Sequence, residues 1–509
     1  MRHVSPYLGR PTRVRFLLPI FTAIGLALSM LISFGGEAVL FAAPATPRPA
    51  NVHSENDPES ITVKGWVVAA PGDVDGLGEW QLRDGKGRDW LVQVTANTKI
   101  RLPLPLVGQW AEVAGITVGD GSIVATKLRS DEFRANQVIV RLDGAISADE
   151  LAENYDLEVQ DRVLESANIY LLVGSDTAAS EQAILNHLQR DEHVVWAELN
   201  YVAGVPVADP YQIWKWGGVD PEGFVNQSAY AQIELPPVQS VHRGNGVTVA
   251  VLDTGVSLDH PQLLNQLAPG IDLVDDDDDA NEVNDGAAWG HGTHVAGVIT
   301  HIAPNSTILP VRVLDGDGRG EIFVLAYAIE WAVQHGADVV NLSLGSPYDS
   351  AVLRDAIDSA VAQGVVIVAA AGNENGGSAQ YPAAYPNVLA VTAVDAENHK
   401  ADFANYSEWV DIAAPGVGIT STIVGPQGNG FASWSGTSMA TSFVSGVAAL
   451  VDANDPQLSA AEIYQQLIDS ALDLNATNPE YTGTIGGLLT AHGTLGDPIP
   501  VFLPILHAQ

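Results

Sequence analysis

The stretch Val247-Thr248-Val249-Ala250-Val251-Leu252-Asp253-Thr254-Gly255 decides the architecture of the second half of this chain. Its first six positions run with almost no polar break, the pattern of a strand buried on both faces. A carboxylate and a glycine then end it. Further short apolar runs follow at 308–314, 338–342, 365–370 and 388–392, and helical patterns lie between or after them at 291–299, 321–335, 351–363 and 438–452. Strands alternating with helices predict an α/β fold, a doubly wound and mostly parallel sheet. In such a sheet, functional side chains sit at strand C-terminal ends and helix N-termini.

Asp253 is placed in that way, and two later motifs match it: Gly290-His291-Gly292-Thr293-His294 and Ser435-Gly436-Thr437-Ser438-Met439-Ala440. Together they offer an acid, a base and a nucleophile, in one of the three known chain orders of the Ser-His-Asp triad. Asp253 is expected to accept a hydrogen bond from one ring nitrogen of His291, fixing its tautomer and stabilising the imidazolium. Asp-Thr-Gly also marks enzymes that use two carboxylates sharing a proton, but no second Asp-Thr-Gly or Asp-Ser-Gly occurs. His291 is the candidate general base, and its flanking glycines are expected to keep bulk away from an approaching substrate. His294 has no following Glu in the metal-binding pattern and reads as a buried structural histidine. Ser438 opens an apolar helix, whose N–H groups and dipole favour a developing oxyanion; the alternative is an ordinary N-cap. Asn373, in Ala370-Ala371-Gly372-Asn373-Glu374, can donate its amide to the same oxyanion; the alternative is a turn residue.

The motifs Asp253-Thr254-Gly255, His291-Gly292-Thr293-His294-Val295-Ala296-Gly297 and Gly436-Thr437-Ser438-Met439-Ala440 resemble those of the subtilases, over about Val247 to Leu489. The resemblance implies endopeptidase activity on proteins or peptides through an acyl-enzyme, with no cofactor required for the chemistry. It implies that Ser343, Leu344, Gly345, Ala371 and Gly372 line the primary specificity pocket. It also implies that Gly318-Arg319-Gly320 is an edge pairing with extended substrate. One family calcium loop looks deleted, because Ala296-Gly297-Val298-Ile299 runs quickly into Ile302-Ala303-Pro304-Asn305, and Gln262 stands where an acidic ligand is usual. Asp272, Asp275 and Asp277, around the run Asp275 to Asp279, form either a structural calcium loop or a solvated acidic loop.

The first half reads differently. Arg2, Arg10, Arg13 and Arg15 precede an apolar run from Phe16 to Phe34, with Ala43-Pro44-Ala45 beyond it. Residues 1–45 are therefore expected to be a secretory signal peptide, or an uncleaved anchor, with the rest outside the cytoplasm. A linker at 46–60 leads to alternating strands over 61–133, read as a small OB-like β-barrel. Residues 134–207 read as strand-helix-strand-strand-helix-strand, a ferredoxin-like α+β unit. The end of this unit resembles a subtilase propeptide, which implies a self-inhibitor. A linker at 208–232 is expected to hold the maturation site, the catalytic domain to span 233–496, and 497–509 to form a tail. With 61 acidic against 23 basic residues, a net charge of −38, nucleic acid is an unsuitable partner. The chain has no cysteine, which excludes disulfides and a thiol nucleophile.

Overall fold

The computed structural model describes residues 60–496 except 72–75, 85–87, 101–104, 106–109, 119–121, 165–166, 175–180, 206–220 and 285. The signal or anchor segment, nearly all of the first linker and the tail lie outside the described residues. Among the described residues no helix is long and apolar enough to cross a membrane.

Five strands, Ser60–Ala69, Gly78–Asp84, Asp89–Val94, Trp110–Thr117 and Ile123–Ser130, form a closed barrel. Closure comes from Val92 and Gln93 pairing with Ile123 and Val124. The interior is filled by Trp80, Leu82, Val92, Val113, Ile123 and Leu128, one face of each alternating strand.

The next unit runs strand Phe133–Leu142, helix Ala148–Tyr155, strands Leu157–Leu164 and Ile169–Gly174, helix Glu181–Leu188 and strand Val194–Gly204. Its sheet order is last, first, third, second. The period-2 alternation decides what each face touches. Val138 and Val140 pack with Leu151, Ile184 and Leu188 of the unit's own helices, whereas Ile139, Ile169 and Leu171 face Ile322, Phe323 and Leu325 of a later helix. The sheet is thus held between its own helices and the next unit.

That next unit is built on eight parallel strands, in the order Ile271–Asp272, Thr307–Arg312, Thr248–Asp253, Val339–Leu342, Val366–Ala370, Val388–Val394, Ile412–Pro415, Gly487–Leu488. Val249 and Val251 pack on helices His291–Ile302 and Thr437–Asn454. Ala250 and Leu252 pack on helices Ile322–Gln334 and Ala351–Ala362. Helices therefore cover both faces, and the strand order reverses beside Asp253, where such sheets place their sites.

The stretch read as an irregular linker up to 232 holds two short helices from residue 221 on, Pro221–Val225 and Ser228–Gln232. Tyr230 is buried and stacks on His301 at 3.9 Å, and Gln227 exchanges hydrogen bonds with the backbone of Thr420 at 2.8 and 3.0 Å. These residues pack on the parallel-sheet unit; Pro and Gly in so short a stretch masked single-turn helices fixed by tertiary contacts.

Candidate active site

Asp253 ends its strand fully enclosed. Its Oδ1 lies 2.7 Å from His291 Nδ1 and accepts the Thr254 N–H at 2.7 Å. His291 is the first residue of its helix, after Gly290 in a left-handed conformation (φ 94°). The glycines have a tighter reason than substrate access. A Cβ on Gly292 would stand 2.0 Å from the Gly255 carbonyl oxygen and 3.0 Å from Asp253 Cβ. Backbone meets backbone here, which sets the Asp253–His291 separation.

Ser438 is the second residue of helix Thr437–Asn454, and its Oγ donates to the Ser343 carbonyl at 3.3 Å. Ser343 Oγ in turn donates to the Ser438 carbonyl at 3.1 Å. Asn341 donates to Ser343 Oγ at 2.9 Å and accepts from Ser445 at 2.9 Å. This buried polar network bolts the Ser438 helix to a central strand. Asn373 follows strand Val366–Ala370, and its Oδ1 accepts from Thr437 N and Oγ1, both at 2.9 Å. That orients the amide nitrogen toward Gly436, where a Cβ would lie 3.4 Å away. The Ser438 N–H and the Asn373 amide thus flank one end of the same helix.

Glu282 gave no signal in the sequence. It accepts from Gly290 N (2.9 Å), Thr293 N (3.0 Å), Thr293 Oγ1 (3.0 Å) and Thr254 Oγ1 (3.2 Å). It joins the turn after Asp253 to the first turn of the His291 helix. Burial pushes its carboxyl up to about 8, with the Asp253 charge adding to the rise and the Gly290 and Thr293 donors opposing it. His294 lies face to face with Trp434 at 4.7 Å, and its Nε2 is 3.1 Å from the Ile419 carbonyl. Burial, then the neighbouring His291, holds it down at about 3, so it is neutral.

Of the expected substrate-binding residues, Gly318 and Gly320 lie along one edge that meets strand Val194–Gly204, and Gly345 lies on the other. Strand Arg319–Glu321 pairs antiparallel with Val202–Gly204 of the preceding unit, and Val205 N donates to the Gly318 carbonyl at 2.9 Å. On the other side, Gly204 and Gly345 form an antiparallel bridge. Leu344 and Ala371 are fully enclosed, and Gly372 adopts φ 106°, where a Cβ would strike Asn405 and Glu374 at 2.4 and 2.6 Å.

The acidic loop is arranged differently from a ligand cage. Asp272 and Asp275 both grip Arg312 Nη1, the latter at 2.5 Å. Asp277 Oδ1 accepts the Asp279 N–H at 2.8 Å instead. Arg162 of the preceding unit reaches Asp276 at 2.6 Å. Among the described residues no three His, Cys, Asp or Glu side chains converge as a metal site.

The family model "Subtilase family" matches residues 244–488, and the model "Fervidolysin N-terminal prodomain" matches 120–200. The chain is 43% identical over 251 residues to Subtilisin BL of Lederbergia lenta, covering 48% of this chain and 89% of that one. It is 33% identical over 366 residues to the Thermostable alkaline protease of Halalkalibacterium halodurans, covering 69% and 91%. Among solved structures it resembles fervidolysin of Fervidobacterium pennivorans, a keratinolytic enzyme related to subtilisin, with a TM-score of 0.61 and 25% identity; the match covers 73% of this chain and 62% of that one. With an Asp, a His and a Ser motif in this order on a parallel sheet, behind a recognisable prodomain, the chain belongs to the subtilase family of serine peptidases.

Proposed function

We propose that this is a secreted serine endopeptidase made as a self-processed zymogen, with residues 134–205 as its ferredoxin-like inhibitory propeptide. The observation that carries the reading is the strand Val194–Gly204. Its end lies between the edges Gly318–Glu321 and Gly345 as an extended peptide substrate would, hydrogen-bonded on both sides. Continuing from Gly204 opposite Gly345, an antiparallel register leads toward Ser343, whose carbonyl touches Ser438. We therefore place the maturation cleavage shortly after Val205.

In this reading His291, held by Asp253, removes the Ser438 hydroxyl proton as Oγ attacks the substrate carbonyl, then protonates the leaving amine. The oxyanion is met by the Ser438 N–H and the Asn373 amide. Water, activated by the same His291, releases the acyl group. Secretion rests on the N-terminal arginines and apolar run.

The test is expression of wild type beside Ser438→Ala, each treated with a fluorophosphonate label. Wild type should shorten to a labelled fragment of catalytic-domain size while the variant stays full length and unlabelled. Two unlabelled full-length chains, unchanged after a trace of added protease, would end the proposal.

A further inference from the structure

Arg319 opens the edge strand Arg319–Glu321, and its surroundings in the full chain are supplied by the barrel and the residues just after it. The guanidinium lies over the Trp110 ring at 4.5 Å. Its Nη2 donates to the Asp131 carbonyl at 2.6 Å and stands 3.7 Å from the Asp131 carboxylate. The charges of Asp131, Glu132 and Asp315 act on it, opposed by Arg134. Its Nε is buried and has no acceptor among the described residues. Trp110, Asp131 and Glu132 precede the proposed cut, so they leave with the prosegment. Of the three carboxylates only Asp315 remains, and its Oδ1 is taken by the N–H groups of Asp317 and Arg319. Release therefore strips a cation of most of its counter-charge.

The same side chain borders the peptide in the groove. Gly204 pairs with Arg319 across the strands, and cross-strand partners share a face. A Cβ built on Gly204 would point to Arg319 Cγ at 3.9 Å, after clearing the Gly318 carbonyl oxygen at 3.0 Å by a shift of a few tenths of an ångström. Glycine at this position leaves the space beside Arg319 open to a longer side chain.

Resting on the peptidase reading above, we propose that Arg319 is a specificity-determining residue of the mature enzyme. It selects an acidic side chain at the substrate position that Gly204 holds in the full chain. The barrel's Asp131 then stands in for substrate: the acidic partner is bound in the zymogen from the side, and in the mature enzyme from the peptide itself. Arg can meet a carboxylate with two parallel N–H groups, and Nε is one of those a fork uses.

The experiment is digestion of a mixed peptide library by mature wild type, Arg319→Ser and Arg319→Lys, with residues counted at each position before the cut. Wild type should enrich Asp and Glu over Lys and Arg at one position by about fivefold, the size of a partly exposed ion pair. Arg319→Lys should keep the direction of the preference and Arg319→Ser should lose it. In ~1 M salt, where screening acts within about 3 Å, the wild-type preference should collapse; this arm stands even if Arg319→Ser fails to mature. Cleavage by wild type without acidic preference, or an unchanged preference in Arg319→Ser, would overturn the proposal. If wild type cuts nothing, the peptidase reading falls and this inference with it.

Discussion

Gly204 and Gly345 exchange both backbone hydrogen bonds, Gly204 N to Gly345 O at 2.9 Å and Gly345 N to Gly204 O at 2.8 Å. This doubly bonded pair ties the end of strand Val194–Gly204 to Gly345. In the uncleavable Ser438→Ala chain, Gly204→Pro removes one donor. Amide exchange at 343–346 should then quicken about fivefold, the worth of one net hydrogen bond. Unchanged exchange would mean that the pair contributes nothing to the hold.

Asn373 is anchored through its oxygen by Thr437, with its nitrogen on the side of Gly436. Asn373→Ala should lower kcat by about 10²–10³-fold, the range measured for one such donor in subtilisin, a relative. KM should change little, because the contact is made in the transition state. A loss confined to KM would assign Asn373 to substrate binding instead.

Glu282 carries a pH dependence. Folded, its carboxyl holds its proton up to about 8; unfolded, it releases it near the ordinary 4.5. Between these values the folded state binds more protons, so this group's contribution falls as pH rises and is level above about 8. Glu282→Gln in the Ser438→Ala background should therefore gain melting temperature relative to its parent on going from pH 5 to pH 8. A difference independent of pH would show that its four donors keep Glu282 ionised throughout.

Arg312 and Asp272 are both buried, and Arg312 also holds Asp275. Two of the three acidic-loop carboxylates thus already share one guanidinium, and chelator should leave the melting temperature within about 1 °C, a change below roughly 0.5 kcal/mol. Arg312→Ala strands a buried carboxylate and should cost about 3–5 kcal/mol. A chelator-sensitive melt would favour the calcium reading of the loop.

How far the sequence could be read follows from what each residue depends on. Asp253, His291 and Ser438 stand out because each needs both a side-chain type and a glycine nearby, and Gly292 shows why: its neighbour is the Gly255 backbone. Five of the eight parallel strands were legible as apolar runs; Ile271–Asp272, Ile412–Pro415 and Gly487–Leu488, only two to four residues long, were not. Glu282 was not, because it sits in a polar loop with no periodicity and gains its role only when the fold lays it across residues 290–293. Arg312 carried a faint signal, a lone cation ending an apolar strand in a chain with a five-Asp run. Trp434 closes a hairpin, Ile419–Gly425 with Gly428–Trp434, that the reading passed over; its stacking on His294 has no sequence-local cause.

Glu198, just before the end of the prosegment, accepts from Ser350 Oγ and Ala351 N at 2.8 Å and from Val352 N at 3.0 Å. It completes the N-terminus of helix Ala351–Ala362, which belongs to the enzyme. On the proposed maturation, the helix borrows one of its caps from a part of the chain that the cut would discard. A molecule assembled with a loaned piece would then lack that piece for retracing its path. Its working life after such a cut would be set by how slowly it comes apart, and no longer by how readily it could be put together again.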